Sequence, residues 1–338
     1  MCPGPQTTIV SHMRKLLIAL PAYNEEPTVA SVVSGLPRSL SGADRVDVAV
    51  VDDGSTDLTA RKAAEAGAKV LSHGRNLGLG AAFRTALDYA RENGYRWMVT
   101  LDADGQFTPD SVPRVAGPVL AGEADLATAS RFADPGMIPK GIGRIKLWGN
   151  RMVARLVSAL SGVRVADATC GFRAYGPRAL EMLSSFSRFT YTQEVIIDLA
   201  SKGMRIREVP VEVLAHRPAG ESRISGNLWR YAALSLAAMY SVSHDHRPWR
   251  FYGVPALGMM LLGGAGELFV FARWLAVGMV TPFKGVAIAG LFLVTFGAIF
   301  GLFASLADTS SHNRRLSESI LADRVRRRRE ELEAVDDG

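Results

Sequence analysis

Asp102 and Asp104 stand one residue apart directly after the apolar run 97–101, which brings two carboxylates to the end of a strand. Two carboxylates that close repel each other unless a cation lies between them. A hard divalent ion, Mg²⁺ or Mn²⁺, suits such a pair, because one or two carboxylates commonly hold it while substrate phosphates complete its shell. Gln106, two residues on, adds a neutral oxygen. An isolated Asp-x-Asp also describes a solvated turn, so the neighbouring polar clusters decide. Asp52-Asp53-Gly54-Ser55-Thr56-Asp57 follows a second apolar run. Ser55 or Asp57 suits capping of the next helix, and the remaining acids suit hydrogen bonds to a base or ribose. Pro21-Ala22-Tyr23-Asn24-Glu25 follows a third run, with Tyr23 placed to pack against a base. Arg75-Asn76-Leu77-Gly78-Leu79-Gly80 permits close backbone approach ahead of a helix N-terminus.

These clusters need a scaffold that gathers strand ends. Residues 16–20 and 46–51 are short, dense, β-branched runs, the pattern of strands buried on both faces. Helical segments at 26–36, 58–66 and 79–93 alternate with strands at 68–71, 97–101 and 124–129. Such alternation predicts an α/β fold, Rossmann-like, with a mostly parallel sheet, right-handed crossovers and ligands at the carboxyl ends of the strands. Residues 140–160 differ: Ile145, Trp148, Met152, Leu156 and Ala159 recur at steps of three and four, beside Arg144, Arg151 and Arg155. That is an amphipathic basic helix suited to a membrane surface, the plain alternative being a surface helix packed on its own domain.

Residues 251–271 carry one charge, Glu267, and 285–307 carry none. Each is long enough to cross a bilayer as a helix. The chain has 338 residues and a net charge of +6. Arg314, Arg315, Arg324 and residues 326–329 follow the second run, while His246, Arg247 and Arg250 precede the first. The positive-inside rule then predicts an integral membrane protein with its catalytic domain and both termini cytoplasmic, and a short external loop at 273–284. The basic tail reads equally as a solvated face or as a contact with anionic headgroups. Glu267, near the end of its run, suits snorkelling to the interface, and Gly263, Gly264 and Gly266 suit close helix packing within one chain or in a homo-oligomer. Cys2 and Cys170 make no disulfide framework, which fits a reduced compartment. The expected divisions are a disordered 1–13, a catalytic domain at 14–225, a juxtamembrane helix at 226–250, two spans within 251–307 and a basic tail at 308–338.

Taken in order, the clusters resemble family 2 glycosyltransferases of the GT-A fold, and most closely polyprenyl-phosphate (dolichyl-phosphate) mannosyl- and glucosyltransferases. Asp102-Ala103-Asp104-Gly105-Gln106 matches their metal-binding motif. Ser130-Arg131-Phe132 is similar to the segment whose arginine holds the lipid phosphate. Thr169-Cys170-Gly171-Phe172-Arg173-Ala174 resembles their Ser-Gly-Phe-Arg element, with Cys170 at the usual serine. Arg217-Pro218-Ala219-Gly220-Glu221-Ser222-Arg223 resembles an Arg-x-x-Gly-x-Ser-Lys element near the donor diphosphate, with arginine for lysine. The resemblance implies transfer of mannose or glucose, with inversion, from a GDP- or UDP-sugar to polyprenyl phosphate at the cytoplasmic membrane face. It implies Asp104, Arg131 and Arg217 as catalytic residues, and Asp102, Asp104 and Gln106 around Mg²⁺ or Mn²⁺. Pro21, Tyr23, Glu25, Asp53, Asp102 and Arg223 would take the donor, and Arg131 with Arg144 the acceptor phosphate. The serine that usually accompanies the second arginine is missing, as is the Gln-x-x-Arg-Trp signature of polymerising synthases. No nucleic-acid partner is expected. The alternatives are a glycosyltransferase using another membrane acceptor such as diacylglycerol, or a silent nucleotide-binding membrane partner.

Overall fold

The computed structural model describes residues 13–138, 142–183, 191–213 and 248–336. Residues 1–12, Arg217, Arg223 and the interfacial segment expected at 226–250 as far as residue 247 lie outside that set. Two compact units emerge. One comprises Met1–Met239 with Glu318–Gly338, the other Tyr240–Ser317.

The first unit is built on a seven-stranded sheet in the order β3-β2-β1-β4-β6-β5-β7. β1 (Lys15–Ala22), β2 (Arg45–Asp52), β3 (Lys69–Ser72) and β4 (Trp97–Thr100) pair in parallel, as do β5 (Leu126–Ser130) and β7 (Ile206–Pro210). β6 (Arg173–Tyr175) enters antiparallel between β4 and β5. Leu16, Ile18 and Leu20 point to one face of β1 and Leu17 and Ala19 to the other, and all five are fully buried. Helices therefore cover both faces, which explains the continuous apolar run. They include α1 (Val29–Gly35), α2 (Thr59–Glu65), α3 (Leu79–Glu92) and α4 (Val112–Leu120). α3 buries Phe83, Ala86, Leu87 and Ala90, a stripe at helical spacing.

α5 (Arg144–Ser161) packs against α7 (Thr192–Ser201), and a short α6 (Pro177–Met182) lies between them in sequence. α5 turns Ala154 and Val157 inward. Ile145, Trp148 and Met152 face outward at 73%, 65% and 45% exposure. The apolar stripe is thus not the one that packs on the domain. The C-terminal residues also join this unit: Lys202, directly after α7, sits 2.9 Å from Asp198 and 3.2 Å from Glu318, all three nearly buried, and Arg329 pairs with Glu181 at 2.5 Å.

In the second unit, one helix spans Val254–Val277, and another begins at Lys284 and runs on to Asp336. The connection is shorter than expected, since Arg273 lies in the first helix with its guanidinium 5.5 Å from the Phe283 ring. Both helices are long and apolar enough to cross a membrane. A core helix would bury such residues, whereas Leu257, Leu261, Leu268, Leu291, Leu302 and Leu306 are each at least 60% exposed. The two helices meet through small residues: a Cβ on Gly263 would lie 2.7 Å from the Gly290 carbonyl oxygen. Gly264 has nothing within 4 Å. Glu267 does not snorkel as expected. Its Oε1 is buried without a hydrogen-bond partner, 2.8 Å from where a Cβ on Gly290 would be.

Candidate active site

The turn after β4 carries the paired carboxylates. Asp104 is buried, and its Oδ1 accepts the backbone N–H of Gln106 at 3.0 Å. Asp102 is half-buried and lies over Gly171: a Cβ there would come within 3.2 Å of Asp102 Oδ1. Any side chain at 171 would displace that carboxylate. Gly171 is itself fixed, because its carbonyl accepts from Thr100 Oγ1 at 2.8 Å and from the Tyr191 hydroxyl at 3.4 Å. Tyr191 is fully buried and stacks on Phe83 with ring centroids 4.0 Å apart. β6 brings Gly171 here, since Arg173 pairs in register with Thr100.

Oxygen donors of this kind fit Mg²⁺ or Mn²⁺. Among the described residues no group of three or more His, Cys, Asp or Glu side chains could hold a metal. A metal held by Asp102 and Asp104, with Gln106 half-buried beside them, would take the rest of its shell from substrate oxygens.

The turns after β1 and β2 are knitted together. Ser55 Oγ accepts the Asn24 N–H, and Asn24 Oδ1 accepts the Thr56 N–H. Of the two capping candidates, Asp57 takes the first N–H of α2, from Thr59, while Ser55 serves the β1 turn. Glu25 is buried, its N–H bound to Thr59 Oγ1. Pro21 is buried at the end of β1 and Tyr23 is half-buried. Thr28 Oγ1 donates to the Ala103 carbonyl at 2.8 Å, linking this region to the turn holding Asp102 and Asp104. Asp53 faces the loop after β3, and its carboxylate accepts the Leu77 and Gly78 N–H groups. The α3 N-terminus thus meets a carboxylate of the chain.

Arg131 follows β5 and forms a two-pronged pair with Asp167: Nε to Oδ2 at 2.6 Å and Nη2 to Oδ1 at 2.9 Å. Nη2 also reaches Thr169 Oγ1 at 2.7 Å. Burial alone would push the Asp167 carboxyl up, but the Arg131 guanidinium holds it below the usual carboxylate range. Burial likewise opposes charge on Arg131, and Asp167, with a smaller contribution from Asp102, raises its pKa above the ordinary value. Arg131 and Asp102 therefore share one electrostatic neighbourhood. Glu208 on β7 accepts the N–H groups of Ala166 and Asp167, fixing the loop that carries the pair. Arg144 is exposed at the start of α5. Cys170 is fully buried, and burial pushes its thiol up to about 12, so it stays protonated. Asp167 and Glu208 belong to no motif, and sequence reasoning passed over them. The one available signal was Asp167's position two residues before Thr169.

The profile of glycosyl transferase family 2 matches residues 17–183. Polyprenol monophosphomannose synthase of Mycolicibacterium smegmatis is 31% identical over 69% of this chain and 90% of its own length. Undecaprenyl-phosphate mannosyltransferase of Micrococcus luteus is 31% identical over 66% of this chain and 92% of its own. Among solved structures, glucosyl-3-phosphoglycerate synthase of Mycobacterium tuberculosis, in complex with Mn²⁺, uridine diphosphate and phosphoglyceric acid, superposes with a TM-score of 0.53. That match has 27% identity and covers 68% of this chain and 78% of that one. Fold, motif order and relatives agree: the chain belongs to glycosyl transferase family 2 and is a glycosyltransferase.

Proposed function

We propose that the chain transfers a hexose, mannose or glucose, from a nucleotide sugar to polyprenyl phosphate at the cytoplasmic face of a membrane, with inversion at the anomeric carbon. The observation that carries this reading is Arg131, pinned by buried Asp167 within electrostatic reach of Asp102. Its backbone N–H, Nε and Nη2 are engaged by Asp167 and Thr169; among the described residues none takes a hydrogen bond from Nη1, which would meet a phosphate oxygen.

A divalent metal bound at Asp102 and Asp104 would neutralise charge on the departing nucleoside diphosphate. Gly171 leaves room for the Asp102 carboxylate, and the Gln106 N–H holds Asp104. Arg217 and Arg223, outside the described residues, would add positive charge at the diphosphate. Pro21, Tyr23, Glu25 and Asp53 would line the nucleoside. A phosphate monoester has a second pKa near 6, so its attacking oxygen is already deprotonated at neutral pH and no carboxylate base is required. The exposed Ile145-Trp148-Met152 face of α5 would lie in the membrane interface, with Arg144 at its start near the acceptor headgroup.

Offering the purified protein one labelled donor with polyprenyl phosphate, polyprenol or diacylglycerol tests the acceptor. Label on polyprenyl phosphate alone, with inverted anomeric configuration by NMR, is the expected result. Label on diacylglycerol would instead favour a hydroxyl acceptor, which needs a base.

A further inference from the structure

Gly171 stands between the paired carboxylates and a tyrosine that belongs to none of the sequence motifs. A Cβ at 171 would lie 3.2 Å and 3.4 Å from the two carboxylate oxygens of Asp102 and 3.5 Å from the Tyr191 hydroxyl. The bare Cα of Gly171 is therefore a surface against which that carboxylate rests. How firmly Asp102 is placed then depends on how firmly the Gly171 peptide is placed.

That peptide is held from several sides. Its carbonyl accepts Thr100 Oγ1 at 2.8 Å, from a residue two before Asp102, and the Tyr191 hydroxyl at 3.4 Å. Next along the chain, Phe172 packs edge-on against Phe107, just beyond Gln106, with ring centroids 5.2 Å apart. The Phe172 carbonyl accepts the Ala129 N–H at 2.9 Å, which ties the segment to β5.

Tyr191 is an unusual residue for its place. It directly precedes α7, where its carbonyl accepts the Val195 N–H at 2.9 Å, but its side chain caps nothing. Ser, Thr, Asp and Asn are the residues favoured there. The Tyr191 ring is instead fully buried and stacked on Phe83 of α3, with centroids 4.0 Å apart. A buried tyrosine hydroxyl usually finds a hydrogen-bond partner, and this one finds the Gly171 carbonyl. Thr100 is buried too, and its hydroxyl meets the same oxygen.

We infer that Tyr191 and Thr100 are positioning residues for the metal-binding pair: by fixing the Gly171 peptide they set where the Asp102 carboxylate lies. Groups that orient a metal's ligands commonly matter to affinity nearly as much as the ligands. Asp104 is held separately, by the Gln106 N–H. Loosening Gly171 therefore weakens metal binding by degrees, whereas losing Asp104 removes it. The inference rests on the reading of Asp102 and Asp104 as metal ligands.

Mn²⁺ titration of the full-length, detergent-solubilised protein tests it, with UDP or GDP present and free Mn²⁺ read by electron paramagnetic resonance against nucleotide-only controls. Tyr191→Phe keeps the ring on Phe83, and Thr100→Val keeps the side-chain shape. Together they should raise the Mn²⁺ dissociation constant about tenfold, each alone giving less. Thr100→Ser retains a hydroxyl and should stay near wild type. In transfer assays the double variant should show a raised apparent KM for Mn²⁺, with kcat recovering at saturating metal. A folded double variant that binds Mn²⁺ as wild type does, even with lowered thermal stability, would reduce both residues to packing and overturn the inference. A wild type that binds no Mn²⁺ with either nucleotide would remove the metal ligands themselves, a distinct result.

Discussion

Arg131 and Asp167 show how much one pair can settle about a site. Asp167 is fully buried, and a buried carboxylate is tolerated only when paired and hydrogen-bonded. Removing one partner of such a pair typically costs about 3–5 kcal/mol, so Asp167→Ala should lower stability and abolish transfer together. Because the folded pKa of Asp167 lies below its unfolded value, its stabilisation is complete above the unfolded pKa and lost as pH falls through the folded one. Asp167→Asn should therefore be less stable than wild type at neutral pH and change less on acidification, which denaturant midpoints across the acid range would show. Asp104→Ala makes a sharper functional test, since it should eliminate transfer while circular dichroism stays native. Normal turnover in that variant would remove the metal role. The acidic motifs were legible because carboxylates at strand ends follow dense apolar runs. Asp167 was not, because an aspartate between two alanines carries no local pattern, and its meaning arises only when β6 and β7 bring Thr169 and Glu208 beside it.

At the scale of elements, the buried strands were easy to recognise and the short ones were not. β1 and β2 are covered on both faces, so their sequences are apolar without interruption. β6 has three residues and opens on Arg173, which is wholly buried, a composition that reads as anything but a central strand. α7 buries Gln193, Glu194 and Asp198, so no apolar stripe announces it. α5 was legible as amphipathic, and its structure separates two faces: Ala154 and Val157 pack inward, while Ile145 and Trp148 stay exposed. Double replacement Ile145→Glu, Trp148→Glu should therefore leave the melting temperature within about 2 °C of wild type, because exposed substitutions usually cost within about 0.5 kcal/mol. It should raise the KM for polyprenyl phosphate several-fold with little effect on the KM for the nucleotide sugar. An unchanged lipid KM would detach this helix from the acceptor.

Across the whole molecule, the two apolar helices were evident from length and composition, whereas the contacts of the C-terminal residues were not. The arginines there looked uniformly basic, yet Arg329 is engaged by Glu181, and Glu318 joins Lys202 and Asp198 in a nearly buried cluster. Ion pairs between segments so far apart in sequence leave no periodic trace. Lys202→Met would remove the cation that lies between Asp198 and Glu318 and should lower the melting temperature by several degrees, since breaking a buried ion pair costs about 3 kcal/mol or more. In the apolar unit, Gly263→Leu should force apart the helix pair that meets at Gly290, which cross-linking between the two helices would report. The central claim is the reaction itself. It is tested most directly by incubating purified full-length protein with radiolabelled nucleotide sugars and polyprenyl phosphate, with Mg²⁺ or Mn²⁺ and again with a chelator. The account predicts label that becomes chloroform-extractable only when metal and polyprenyl phosphate are both present. Label that stays water-soluble with every donor, or reaches lipid without polyprenyl phosphate, would contradict it.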